Sequence, residues 1–325
     1  MKLRLLSAAD LRGLVTMEEA VDAVEEGFVR LVAGEVSAPT RIGVEGPAEG
    51  GVTLLMGAAA PSLGLATKVV SVFPDNVRRG LPVIHGLVLV LDPESGEPRA
   101  LVDGSFLTAW RTGAASGAAT RLLARPDARV GALIGCGRQA ETQLLAIDTV
   151  RRLEVVRVFA RDPERVRAFC EQQQGAVRAR LQPADSAEAA VEGADVVCTA
   201  TTSHSPVFDG AALAPGVHLN GVGSFTLDMR EVDETTVSRS RIFIDELEAA
   251  LAEAGELVAA ERAGVTRRED WTPLGLVAAG RAPGRADPQE LTFFKSVGHA
   301  VQDVATATRA LRAAEERGVG REVEL

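Results

Sequence analysis

A glycine-rich loop in the middle of the chain lies between a short apolar run and an amphipathic stretch. Residues 130–134 predict a buried strand, residues 138–150 predict a helix, and the loop between them reads Gly135-x-Gly137-x-x-Ala140. The first glycine permits a tight turn, the second lets the backbone approach a pyrophosphate, and the small third residue allows close packing of helix on strand. The pattern predicts a dinucleotide site; the alternative is a glycine-rich turn that holds no ligand.

Strands and helices alternate after this loop. Such alternation is typical of a parallel, doubly wound sheet, so this part of the chain predicts an α/β Rossmann domain. Helices are predicted over residues 163–173 and 187–191, and strands over residues 155–160, 176–183, 195–200, 217–222 and 241–245.

The first third of the chain has a different pattern. Thr16 and Glu19 form a capping box before an amphipathic helix over residues 16–33. Closely spaced strands without intervening helices then predict antiparallel pairing and a second, α+β domain. These strands are predicted over residues 40–44, 52–56, 65–73, 83–92 and 100–103. A helix over residues 106–123 connects the domains, and the chain from about Pro288 onward is predicted to be helical.

Composition excludes several classes of protein. The formal net charge is −10 and no basic stripe is interleaved with aromatic residues, so nucleic-acid binding has no support. No apolar run approaches the ~20 residues that span a bilayer, and no signal-peptide pattern is present. Three cysteines without a C-x-x-C pair argue against a disulfide framework or a metal cluster. We therefore expect a cytoplasmic protein that binds neither membrane nor metal.

The end of the second Rossmann strand bears on the choice of dinucleotide. An acidic residue there binds the ribose of NAD, whereas a nearby arginine suits the 2′-phosphate of NADP. Here the residues are Ala160-Arg161-Asp162, and Arg138 adds a second cation in the loop. This favours NADPH over NADH. The alternative is that Arg161 is a solvated surface charge, and Asp162 also suits the cap of the next helix, ahead of Pro163.

The order and content of several motifs resemble the ornithine cyclodeaminase/mu-crystallin family. The match extends over nearly the whole chain. The motifs are Lys68-Val69-Val70-Ser71-Val72-Phe73-Pro74-Asp75-Asn76, Gly80-Leu81-Pro82, the segment Leu91-Asp92-Pro93-Glu94-Ser95-Gly96-Glu97-Pro98, the segment Leu107-Thr108-Ala109-Trp110-Arg111-Thr112-Gly113-Ala114, the glycine loop, and Phe294-Lys295-Ser296-Val297-Gly298.

The resemblance implies two domains, a homodimer and a small imino-acid or amino-acid substrate held between the domains. Residues 1–117, completed by the C-terminal helix 304–325, would form the substrate-binding and dimerisation domain, and residues 118–303 the Rossmann domain. Enzymes of this family include cyclodeaminases, alanine dehydrogenase-like enzymes and reductases of cyclic ketimines.

The resemblance also implies that Arg41, Lys68 and Arg111 hold the substrate carboxylate. Arginine forks and a lysine point charge suit that anion, and Lys68 is one of only three lysines in the chain. Lys68, Arg111 and His85 are the candidate catalytic residues, because Lys68 or His85 would protonate or stabilise the imine nitrogen. The alternatives are a surface ion pair for Arg41 and a half-buried structural histidine for His85.

Candidate cofactor contacts come from the loop and from the resemblance. The alternative for one of them, Ser296, is a helix N-cap. The candidates are Thr112, Gly135, Gly137, Arg138, Gln139, Ala140, Arg161, Thr199, Thr201, Ser224, Lys295 and Ser296.

Two departures from the cyclodeaminase pattern bear on the reaction. Ser224 stands where cyclodeaminases carry a general acid/base aspartate, and Leu54 stands where they carry a glutamate for the substrate amine. Asp228 is nearby, but Asp228 and Glu231 form a D-x-x-E pattern that is typical of the capping box of a following helix.

These features predict NAD(P)H-dependent reduction of a cyclic ketimine carboxylate, such as pyrroline- or piperideine-2-carboxylate, to a cyclic amino acid. The cofactor would supply the hydride, while the protein supplies charge and orientation. The alternatives are an open-chain alanine-type or N-alkyl amino-acid dehydrogenase, an ornithine cyclodeaminase, and a non-catalytic ligand-binding protein.

Overall fold

The computed structural model describes residues 2–46 and 50–324, apart from the side chain of Val77. The strands are β1 (Lys2–Leu6), β2 (Ile42–Glu45), β3 (Val52–Ala60), β4 (Gly64–Val72), β5 (Ile84–Leu91), β6 (Pro98–Asp103), β7 (Val130–Ile134), β8 (Val155–Phe159), β9 (Arg180–Pro183), β10 (Val196–Thr199), β11 (His218–Gly221), β12 (Ser240–Ile244), β13 (Thr272–Pro273), β14 (Leu291–Lys295) and β15 (Arg321–Glu324).

Helices lie between many of these strands. The α-helices are α1 (Ala8–Leu14), α2 (Met17–Val32), α3 (Gly104–Leu123), α4 (Arg138–Val150), α5 (Pro163–Gln173), α6 (Ala187–Val191), α7 (Glu234–Arg239), α8 (Leu247–Glu253), α9 (Gly255–Arg262), α10 (Leu274–Ala278) and α11 (Ala300–Arg317). Among the residues described, no helix has both the length and the apolar character needed to cross a membrane.

The chain divides into two compact units. The first unit runs to Arg111 and resumes at His299, and the second runs from Thr112 to Gly298. Both boundaries lie a few residues before the expected ones at 117/118 and 303/304. Helix α3 contributes to both units, because it begins at Gly104 and ends at Leu123.

The first unit is built on one mixed sheet in the order β15-β1-β6-β5-β4-β3-β2. The strands from β2 to β6 pair antiparallel, as predicted, and β1 joins β6 in parallel. Along β4 the side chains alternate, so Ala66, Lys68 and Val70 are buried while Thr67 and Val69 are exposed. Helix α11 packs against β3, β4 and α2. The side chain of Lys68 therefore belongs to the buried face of this sheet.

The second unit contains a sheet in the order β13-β12-β14-β11-β10-β7-β8-β9, and its strands pair in parallel. The predicted fold class is confirmed: a doubly wound α/β Rossmann sheet accompanied by an α+β unit. Helix α3 approaches α4 closely at Gly113, where an added Cβ would lie 2.5 Å from the carbonyl oxygen of Thr142. A glycine at this position is what allows the two helices to meet.

The prediction of helix from Pro288 onward is wrong for its first part. Residues Leu291–Lys295 form β14, a fully buried strand between β11 and β12, and α11 begins only at Ala300. A short apolar run fits a buried strand and a buried helix equally well, so periodicity could not separate them. The terminal strands β1 and β15 were not predicted either; they pair with each other across the length of the chain.

Candidate active site

The glycine loop of the second unit has the backbone geometry that a dinucleotide requires. Gly135 follows β7 with φ +114°, and an added Cβ there would lie 2.6 Å from the carbonyl oxygen of Ala200. Gly137 is the N-cap of α4, and an added Cβ would find no atom within 4 Å. Ala140 is fully buried. The first glycine thus serves a turn against the loop after β10, and the second leaves open space at a helix N-terminus, which suits a pyrophosphate.

This loop lies where the strand order changes direction. From β7 the chain proceeds outward through β8 and β9, and it then returns to β10 on the other side of β7. In open parallel sheets, ligands bind at the carboxyl ends of the strands beside such a switch point. The carboxyl ends of β7 and β10 lead directly to Gly135 and Ala200, so the residues present fit a dinucleotide.

Glu231 connects the loops that follow β10 and β11, a role that the sequence did not reveal. Its carboxylate accepts hydrogen bonds from Thr199 Oγ1 (3.0 Å), Thr201 N (2.7 Å), Thr201 Oγ1 (2.8 Å), Gly223 N (2.6 Å) and Ser224 N (3.3 Å). Burial raises the pKa of Glu231, although these donors favour the ionised form. Thr199 and Thr201, both predicted cofactor contacts, are therefore held by this carboxylate.

Lys295 and Ser224 meet inside the second unit. Lys295 Nζ donates to Ser224 O (2.7 Å) and Oγ (2.6 Å) and lies 3.2 Å from Glu256 Oε1. Ser224 Oγ in turn donates to Glu256 Oε2 (2.7 Å). All three side chains are buried. The ammonium and the hydroxyl are thus engaged by partners within this unit, an arrangement that supports the loop after β11.

Ser296 also has a partner of its own within the unit. Its Oγ donates to Asp245 Oδ2 (2.9 Å), which also accepts from Val297 N and Gly298 N. The alternative interpretation of Ser296 as a helix N-cap is wrong, because the N-cap of α11 is His299. Asp245 follows β12 directly, so this cluster too lies at the carboxyl edge of the sheet.

The proposed capping box of Asp228 and Glu231 is wrong as well. The next helix, α7, is capped by Asp233, and Glu231 is fully buried in the network described above. Asp228 is exposed and accepts a hydrogen bond from Thr226 Oγ1. A D-x-x-E spacing predicts a cap only where a helix follows at once, and here none does.

The first unit gathers the cations that were predicted to bind a carboxylate. Lys68 Nζ lies 2.7 Å from Asp303 Oδ2 and 3.5 Å from Thr108 Oγ1. Arg111 Nε donates to Asp303 Oδ1 (3.2 Å), and Arg111 Nη1 donates to Gln302 Oε1 (2.5 Å). Lys68, Arg111 and Asp303 are all buried. We call the three cations Arg41, Lys68 and Arg111 the cation cluster.

Arg41 belongs to this cluster electrostatically. Burial and then the positive charge of Arg111 lower the pKa of Arg41 to about 10. Burial lowers the pKa of Lys68 to about 8, although Asp303 opposes this shift. Burial alone would raise the pKa of Asp303, but Arg111 and Lys68 outweigh it, so that pKa lies below its usual value. Arg41 itself is half-buried.

His85 does not join the cation cluster. It is exposed on β5 and lies opposite Ser71 on β4, three positions from Lys68. Successive side chains of a strand point to opposite faces, so His85 belongs to the outer face and Lys68 to the inner one. The alternative of a half-buried, hydrogen-bonded histidine is not supported either, because the ring is exposed.

The remaining predicted cofactor residues range from buried to exposed. Thr112 is buried in α3, Gln139 is partly buried in the first turn of α4, and Arg138 and Arg161 are exposed. Asp162 accepts hydrogen bonds from Glu164 N and Arg165 N as the N-cap of α5, as predicted.

Fold and site together define a class: an oxidoreductase with a Rossmann dinucleotide-binding unit and a second unit that carries buried cations suited to a carboxylate. The chain belongs to the ornithine cyclodeaminase/mu-crystallin family, which matches residues 1–317. The resemblance inferred from the motifs is confirmed.

Several relatives match along their whole length. A Δ1-pyrroline-2-carboxylate reductase of Bacillus cereus is 36% identical over 322 residues, which cover 98% of this chain and 99% of the relative. The structure of the Thermococcus litoralis Δ1-pyrroline-2-carboxylate reductase, in complex with NADH and L-proline, is 38% identical with a TM-score of 0.95, covering 99% of this chain and 100% of that one. An archaeal alanine dehydrogenase dimer with bound NAD is 32% identical with a TM-score of 0.92, covering 100% of both chains.

The Glu231 network predicts the effect of removing one charge. In Glu231→Gln an amide NH2 would face backbone and hydroxyl donors, leaving buried groups unsatisfied at a cost of about 1–3 kcal/mol in the free energy of unfolding. Because the loops after β10 and β11 are then less well held, the Kd for NADH should also rise. Urea unfolding and NADH fluorescence titration measure the two effects. Glu234→Gln, at an exposed position, is the matched control, and equal behaviour of the two variants would refute the assignment.

Proposed function

We propose that the protein reduces cyclic ketimine carboxylates, of the Δ1-pyrroline-2-carboxylate class, to cyclic amino acids. The observation that carries the proposal is the cation cluster, in which Lys68 and Arg111 are buried and Arg41 is half-buried, in a chain that also has a dinucleotide loop. When bound, a reduced nicotinamide would supply the hydride for the C=N carbon, and a proton added at nitrogen would complete the secondary amine. The substrate carboxylate is held by the cluster.

The Lys68 ammonium suits two tasks in this reaction. Its pKa of about 8 keeps it mostly protonated at neutral pH, so it attracts the carboxylate as a point charge. A group with a pKa near the working pH also transfers protons efficiently. The named activities of the relatives support the same reaction, since L-proline is the product expected from reduction of Δ1-pyrroline-2-carboxylate.

The loop after β11 argues against cyclodeamination. Ser224 is buried and bound to Glu256, whereas the side chains exposed nearby include the apolar Phe225 and Leu227. On β3, Leu54 pairs with Val70 and so shares the face of Lys68, but it brings no carboxylate. Asp228 is exposed and interacts with Thr226 and His204. Ser224 and Leu54 therefore bring no carboxylate for deamination and ring closure, and the one at Asp228 is engaged by its neighbours.

Substrate assays test the proposal directly. With Δ1-pyrroline-2-carboxylate or Δ1-piperideine-2-carboxylate, we expect the absorbance of the reduced nicotinamide to fall and proline or pipecolate to form. Ornithine without added reductant should give no proline or ammonia. Faster oxidation with pyruvate plus ammonia or methylamine would instead identify an open-chain amino-acid dehydrogenase. Tight binding of the imine without turnover would point to a binding protein.

We further propose that NADPH is the preferred cofactor. Arg161 is exposed after β8, and the neighbouring carboxylate of Asp162 is engaged as the N-cap of α5 rather than left for a ribose. Arg138 is exposed in the first turn of α4. A guanidinium at the end of the second Rossmann strand suits a 2′-phosphate.

Arg161→Ala tests the cofactor preference. A hydrogen bond to a charged group contributes about 1.5–3 kcal/mol, so the KM for NADPH should rise about 10- to 100-fold. The KM for NADH should stay nearly constant, because NADH has no phosphate at that position. Steady-state kinetics with both cofactors measure the change, and Arg165→Ala, also exposed, is the control. An equal loss with both cofactors would refute the role of Arg161.

We also propose a homodimer formed through the outer face of the first unit's sheet. Ile42, Leu55, Val69 and Leu87 are cross-strand neighbours in one row, and they are 65%, 41%, 44% and 52% exposed. Exposed apolar patches of this kind are typical of protein interfaces. The dimeric alanine dehydrogenase relative supports a second copy of the chain as the partner.

Leu55→Glu tests this interface. A buried, unpaired carboxylate at the centre of the row should disrupt association, so light scattering after size exclusion should give the mass of a single chain. Leu227→Glu, at a leucine with 44% exposure in the second unit, should retain the wild-type mass. A dimeric Leu55→Glu variant would exclude this face.

We propose the cytoplasm as the place of action. The three cysteines, Cys136, Cys170 and Cys198, are all free thiols. Free thiols are usual where the compartment is reducing.

A further inference from the structure

The first turn of helix α11 brings a carboxylate into the cation cluster. Asp303 is fourth in that helix and lies 235 residues along the chain from Lys68. Its Oδ2 binds the Lys68 ammonium at 2.7 Å, and its Oδ1 binds Arg111 Nε at 3.2 Å. Each oxygen thus serves a different cation, and a single carboxylate bridges the two groups.

Asp303 changes the charge of the cluster. Arg41, Lys68 and Arg111 carry three positive charges, and Asp303 is the one carboxylate among the described groups that act on the pKa values of both Lys68 and Arg41. Buried like charges repel strongly, and a buried cation without a partner is costly. The helix N-terminus also stabilises the negative charge of Asp303. The carboxylate therefore allows the cations to be buried while leaving a net positive charge for a substrate anion.

The same helix fixes the direction of Arg111. Asp303 accepts from Nε, and Gln302 accepts from Nη1 at 2.5 Å. Two neighbouring residues of α11 thus accept hydrogen bonds from two different nitrogens of the Arg111 guanidinium. A guanidinium held at two nitrogens cannot rotate about its stem, so its remaining donors are oriented before a ligand arrives.

We propose that Asp303 is the positioning residue of the carboxylate-binding site: it binds the Lys68 ammonium and orients Arg111, so that the substrate carboxylate meets preorganised cations. The proposal rests on the proposed function for the identity of the carboxylate, but the action of Asp303 on Lys68 can be measured without any substrate.

The surroundings of Lys68 make the effect of Asp303 specific. Arg111 faces it from α3 and Arg41 from the segment before β2, and both disfavour the ammonium. Its cross-strand neighbours on β3 and β5 are the apolar Met56 and Val88. Thr108 on α3 is neutral. Without Asp303, the charged groups that act on Lys68 would all be repulsive.

The chain's small number of lysines permits a direct experiment. Protein labelled with ¹⁵N-lysine should give side-chain signals from only Lys2, Lys68 and Lys295, which Lys2→Arg and Lys68→Arg assign. The midpoint of Lys68 is expected near pH 8 in the wild type, and Asp303→Asn should lower it by about 1 to 3 units. Glu316→Gln, exposed on the same helix, should leave it unchanged. An unchanged Lys68 midpoint in Asp303→Asn overturns the proposal.

Kinetics separate positioning from a merely structural role. Above its pKa Lys68 is neutral, so kcat/KM for the imine should fall as pH rises through about 8 in the wild type. In Asp303→Asn this fall should begin at lower pH. Asp303→Glu retains the charge but shifts the carboxylate, so the Lys68 midpoint should stay near the wild-type value while the KM rises, by about 100-fold at most.

The lysine titration and the kinetics also distinguish failure of the Asp303 proposal from failure of the proposed reaction. If Asp303→Asn does not fold, Asp303→Glu alone decides: a retained midpoint with a raised KM supports positioning, and an unaltered KM overturns it. If the wild type does not reduce Δ1-pyrroline-2-carboxylate, the KM arm is replaced by the Kd of pyrrole-2-carboxylate, a planar carboxylate probe. The lysine titration then still tests Asp303, while the proposed function alone has failed.

Discussion

Removal of charge from water is the constraint on which both units of this protein depend. A buried ion is stable only when neighbouring charges and hydrogen bonds replace its hydration. In the first unit Asp303 does this for Lys68 and Arg111, and in the second unit Glu256 does it for Lys295. In each case the partner lies on a different element: Lys68 and Lys295 are each joined from a strand to a helix, and Arg111 is joined from one helix to another. The same contacts therefore stabilise the buried charges and hold the elements of the fold together.

The parts of the fold that could be predicted are those specified by local chemistry. Helices α4, α5 and α6 begin and end where the sequence predicted, because glycine, Asp162 with Pro163, and Ser186 mark their starts. Strand β14 could not be predicted, since a five-residue apolar run carries no period of its own. Strands β1 and β15 were missed for a related reason: they pair across nearly the whole chain, and no local pattern records that contact.

The same distinction between local and long-range determinants applies to the residues of the candidate site. Gly135 and Gly137 could be predicted, because a turn between strand and helix needs particular residues at fixed spacing. Lys68 and Arg111 were predicted from the resemblance of their motifs to the family. Their partner Asp303 was not predicted, since it lies in a helix whose sequence is otherwise ordinary and amphipathic. Glu231 was assigned to a helix cap because its spacing from Asp228 fits one. Only the three-dimensional contacts show that it binds two loops instead.

The scarcity of lysine has a practical consequence. Lys68 and Lys295 are buried, whereas Lys2 is exposed on β1. Among the lysine side chains, reagents that couple to primary amines would therefore attach at Lys2. A resin or electrode loaded by this chemistry would hold every molecule by the same strand, with the glycine loop of the second unit left chemically untouched.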